Sequence, residues 1–63
     1  MNIGKVIYET RTSRGLSQSE LAARLSAAGA EVSNQAVSKW EKNQTLPNAR
    51  QFLILCAVLG ILA

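Results

Sequence analysis

The stretch Val32 to Asn43, V-S-N-Q-A-V-S-K-W-E-K-N, carries side chains whose types and spacing suit one chemistry. On a helix turning about 100° per residue, Asn34, Gln35, Ser38, Lys39 and Lys42 fall on one arc of roughly 140°, at i, i+1, i+4, i+5 and i+8. Ala36, Val37 and Trp40 occupy the opposite arc, with Val32 leading in. A helix that only packs on a core usually mixes Glu and Lys on its outer face. Here that face has no carboxylate and begins with two amides. The paired donor and acceptor of Asn or Gln match the adenine edge in the DNA major groove, and Lys reaches guanine or a phosphate. From this helix alone, a merely solvated polar face is the competing interpretation.

The remaining chain must hold that face in place. Ile3, Val6, Ile7 and Thr10 recur at helical spacing, with Asn2 as N-cap and Gly15 as stop, which predicts a first helix. Arg11 then lies one turn beyond Ile7, on the inner side, where a charge needs a partner. Ser17 opens S-Q-S-E, a capping box with Glu20, and Leu21, Ala22 and Leu25 form the buried stripe of a second helix over about 18–28. Gly29 to Val32 turns the corner, and Ser33 caps a third helix over about 34–42. Asn43, a residue that tolerates the left-handed conformation, ends it. Asn48 starts N-A-R-Q, a second capping box with Gln51, ahead of a fourth helix from Ala49 to about Leu59 that stops at Gly60. That helix is apolar nearly all round, so it calls for burial on more than one side; Leu53, Ile54 and Val58 are expected to be exposed in an isolated chain.

With 63 residues the chain is one all-α domain, 1–63, and a chain of this size buries only about 60% of its unfolded surface. Seven Lys and Arg against four carboxylates give a net charge of +3, which suits an anionic partner but only weakly implies one. There is no His and a single cysteine, Cys56, in an apolar run. That composition excludes an internal disulfide framework and leaves no metal site or cofactor to expect; Cys56 reads as a small buried hydrophobe in a reducing, cytoplasmic setting. The apolar run from Phe52 to Ala63 is shorter than the roughly 20 residues that span a membrane.

Taken together, the chain resembles the Cro and phage-repressor type of helix-turn-helix, the lambda repressor-like or XRE family. The matching residues are I-G-x-x-I at Ile3, Gly4 and Ile7, then Arg11, G-L-S-Q-S-E-L-A from Gly15 to Ala22, V-S-x-x-A-V-S-K-W-E from Val32 to Glu41, and Pro47, Leu55, Leu59 and Gly60. The resemblance implies a compact bundle of four or five helices, with helix 2 across the DNA backbone and helix 3 in the major groove. It implies that Asn34, Gln35, Ser38 and Lys39 face base edges. Gln18 would touch a phosphate and brace the first recognition residue. Ser33, Lys42, Asn43, Gln44 and Arg50 would complete the phosphate contacts, those after helix 3 through side chains or amides. It also pairs Arg11 with Glu41, which gives the inward arginine its partner. The implied activity is that of a transcriptional repressor domain binding a palindromic operator in double-stranded DNA as a homodimer.

The chain departs from the family pattern in two ways. The connection from Ser26 to Ser33, S-A-A-G-A-E-V-S, is several residues longer than the usual G-V-S form, and it carries Glu31, which is expected to point away from phosphate. No fifth helix follows Gly60, so an effector or oligomerisation module is expected beyond the C-terminus of this chain. A pure protein-interaction module on the same bundle is the alternative; it would place acidic or apolar residues on the outer face of helix 3, and neither is present. Catalysis has no support: Glu9, Glu20, Glu31 and Glu41 are the only carboxylates, and there is no histidine base, phosphate loop or nucleophile constellation.

Overall fold

A computed structural model of the chain describes residues 1–61. Four helices follow one another, α1 (Ile3–Ser13), α2 (Gln18–Ala27), α3 (Asn34–Glu41) and α4 (Ala49–Leu59), with no strand among the described residues. Each begins at the predicted cap. The Asn2, Ser17, Ser33 and Asn48 side chains accept from the amides of Lys5, Glu20, Ala36 and Gln51, and both capping boxes close reciprocally. α2 and α3 each end one residue earlier than the spacing predicts, with Ala28 and Lys42 as C-caps.

The turn between α2 and α3 is more ordered than its length suggests. Gly29 takes φ +106°, which lets the Ala30 amide return to the Leu25 carbonyl at 2.9 Å and the Gly29 amide to Ser26 at 3.1 Å. Ala30 is thereby turned into the core, 4 % exposed. Asn43 (φ 59°) closes α3 in the same way, with the Gln44 amide on the Lys39 carbonyl at 2.9 Å.

The core is a single cluster of Ile7, Leu16, Leu21, Ala22, Leu25, Val37, Trp40, Leu55 and Leu59. α3 packs on α1 and α2, while α4 lies against α2. Cys56 is buried and free, in keeping with its apolar surroundings. On α4, Leu53 is exposed as expected, but Ile54 and Val58 are not: both are half-buried against the cluster, because α4 offers the core a broad arc and not a narrow stripe. Beside it, Met1, Ile3, Val6, Ile7, Phe52 and Ile61 line an apolar groove between α1 and α4. No described helix is long and apolar enough to cross a membrane.

Candidate nucleic-acid interface

The two faces of α3 separate as its spacing predicts. Val37 and Trp40 are 0 % and 3 % exposed, and Ala36 packs against the same cluster. Asn34, Gln35, Lys39 and Lys42 are exposed, and Ser38 is half-buried between the faces. Among the described residues, the side chains of Asn34, Gln35, Lys39 and Lys42 take no part in the hydrogen bonds and ion pairs that hold the fold. Their donors and acceptors are available to a ligand. Ser33, at the N-cap, accepts from Ala36 at 3.2 Å and keeps its own hydroxyl proton for a further acceptor.

The opposite end of α3 is anchored. Glu41 takes the Arg11 guanidinium in a two-pronged pair, Nε to Oε2 at 2.6 Å and the second nitrogen to Oε1 at 3.1 Å. The third guanidinium nitrogen donates to the Leu16 carbonyl at 2.7 Å. The two side chains are 10 % and 6 % exposed. The hydrogen bond to Glu41 raises the Arg11 pKa above its already high ordinary value, against the opposing effect of burial. Tyr8 lies beside the same guanidinium, its ring centre 5.4 Å away.

Gln18 joins this cluster. Its Nε2 donates to Glu41 Oε1 at 3.0 Å, so it braces the C-terminal end of α3 and not the first recognition residue that the family resemblance implied. An amide nitrogen has two protons, and the second remains for a phosphate. Asn43 also departs from its expected role. Its Oδ1 accepts from the Gly4 amide at 3.1 Å, its Nδ2 donates to Asn2 Oδ1 at 2.9 Å, and its own amide reaches Trp40 at 3.0 Å. Asn43 therefore clasps α1 to α3. The amides of Lys42, Asn43 and Gln44 all donate to helix carbonyls, so this stretch can meet a phosphate through side chains only. Lys42 and Gln44 are exposed and suited to that; Arg50, by contrast, donates to the Gly29 carbonyl at 3.1 Å.

Two residues of this junction escaped the sequence reading. Gly4 is buried so closely against the end of α3 that a Cβ would lie 2.6 Å from both the Trp40 and Glu41 carbonyl oxygens. The I-G-x-x-I motif carried the signal, but the reason for the glycine is visible only in three dimensions. Lys5 is exposed, and its backbone amide shares Asn2 Oδ1 with the Asn43 side chain, 38 positions further along the sequence.

The helix-turn-helix family matches residues 7–62, nearly the whole chain, with α2 and α3 in the order and contact that its motif requires. The chain belongs to the helix-turn-helix family. It is thus a lambda repressor-like, XRE-type domain, and the family is one of DNA-binding transcription regulators. No curated protein and no solved structure matches it. Among the described residues no group of acidic, histidine or cysteine side chains is placed to hold a metal ion.

Proposed function

We propose that this helix-turn-helix domain reads duplex DNA by placing the N-terminal half of α3 in the major groove, as the DNA-binding part of a transcriptional repressor. The observation that carries this reading is the contrast on α3: Trp40 and Val37 are buried, while Asn34, Gln35 and Lys39 are exposed with no side-chain partner among the described residues. Asn34, Gln35, Ser38 and Lys39 contact base edges, the amides favouring adenine and the lysine guanine. Lys42, Gln44, Ser33 and the free Nε2 proton of Gln18 contact phosphates and fix the register.

With so few cations at the interface, one domain supplies limited salt-dependent affinity. We infer that two copies bind a palindrome with half-sites about 34 Å apart, one turn of B-DNA. Selection of sites from random duplexes with the purified chain, followed by titration of the winners at several salt concentrations, tests the reading. It expects an enriched palindromic consensus; recovery of no consensus, with binding equal on all duplexes, would remove base reading.

A further inference from the structure

We propose that Arg50 is a positioning residue, a strap from the first turn of α4 to the turn between α2 and α3 that sets how α3 meets base pairs. This rests on the DNA-reading role above. Its terminal nitrogen donates to the Gly29 carbonyl at 3.1 Å, across 21 positions of sequence. A Cβ placed on Gly29 would lie 3.5 Å from that nitrogen, so the guanidinium sits directly over the turn.

The turn needs such a tether because it is longer than a minimal helix-turn-helix connection. Its first half is fixed by the Gly29 and Ala30 amides and by the burial of Ala30. Beyond Ala30 the closest backbone tie before Ser33 is the Val32 amide to the Ser26 hydroxyl, a long 3.5 Å contact. The Gly29 carbonyl and the Ala30 amide belong to one rigid peptide plane. Holding that plane from both sides fixes the direction in which the chain enters Ser33 and α3.

The placement of Arg50 fits a strap better than free solvation. α4 has no acidic residue in its first turn, and a cation there faces the positive end of the helix dipole. A carbonyl oxygen aimed at the guanidinium offsets that unfavourable position. A guanidinium engaged in this way acts on DNA through α3, not as a phosphate ligand.

Arg50→Ala in the full chain, with Lys42→Ala as a phosphate-contact control, separates the two roles. For a strap, Arg50→Ala lowers the ratio of specific to non-specific affinity about tenfold, comparable to losing one base contact, while non-specific affinity and salt slope stay those of the parent. In the DNA-free protein, the amide resonances of Ala30, Glu31 and Asn34 move. A salt slope reduced by about one, with equal loss on specific and non-specific DNA, would make Arg50 a phosphate ligand and overturn the proposal. So would amide shifts confined to α4. If the parent chain binds no duplex at all, the DNA-reading role fails, and the DNA-free resonances still decide whether the strap exists.

Discussion

The two ends of α3 are built in opposite ways. At its C-terminal end, Arg11, Gln18, Gly4 and Asn43 converge on Glu41 and the last carbonyls, tying α3 to α1, to the loop at Leu16 and to the start of α2. At its N-terminal end the chain arrives through a long turn, Ser33 supplies one capping bond, and Asn34 and Gln35 stand free. One end is a foundation and the other a probe. A helix fixed at its far end and through its buried side can present unpartnered amides without losing its orientation. Polar groups left unsatisfied at the exposed end cost little because water reaches them, whereas among the described residues no buried side-chain nitrogen or oxygen lacks a partner.

The contrast predicts how damage divides between folding and recognition. Glu41→Ala breaks the anchored end most severely, leaving the Arg11 charge buried without its partner. We expect a loss of about 3–5 kcal/mol in urea or thermal unfolding, and a parent-like melting curve would mean that the pair contributes nothing. Gly4→Ala forces a methyl group against two backbone carbonyls that cannot swing aside. It should destabilise by about 1–3 kcal/mol, although alanine is the better helix former; a stabilised variant would show that α1 can move off α3. Gln35→Ala, at the free end, should leave stability within about 0.5 kcal/mol of the parent and reduce discrimination among DNA sites by about 1–3 kcal/mol. Equal losses on specific and random DNA would contradict base reading. Lys42→Ala lies at the boundary, exposed just beyond the anchor. It should leave folding intact and lower the salt slope by about one, and an unchanged slope would remove it from the phosphate contacts.

The smallest effect expected concerns pH and lies outside α3, as a control. In the α2 capping box, the Ser17 amide and hydroxyl hold the Glu20 carboxyl below its ordinary value of 4.5. A carboxyl depressed in the folded state stabilises the fold above the unfolded value and loses that contribution as pH falls through the folded one. Glu20→Gln preserves the box geometry without the charge, so the variant should lose less stability than the parent on acidification below about pH 4.5. Identical acid-unfolding profiles would assign the loss to another carboxylate.

Local chemistry made most of the fold legible. Asn2, Ser17, Ser33 and Asn48 each start a helix because their side chains satisfy an amide three residues on, a demand met within a few residues of sequence. The left-handed stop at Asn43 and the two-faced pattern of α3 are equally local. The ion pair of Arg11 and Glu41 is not: periodicity showed only an inward charge, and the family resemblance supplied the partner. The Gln18 bond to Glu41, the Asn2–Asn43 clasp and the reach of Arg50 to Gly29 depend on which segments meet in space. No spacing rule connects such positions. The same holds for Ile54 and Val58, whose burial depends on how widely α4 is covered.

The clasp at Asn43 bears on the order of folding. It joins residues 39 and 41 positions apart, Gly4 and Asn2 respectively, so its formation closes most of the chain into a loop. A contact of such span is made only when the two ends of that loop have met, so the Asn43 side chain couples the end of α3 to the placement of α1.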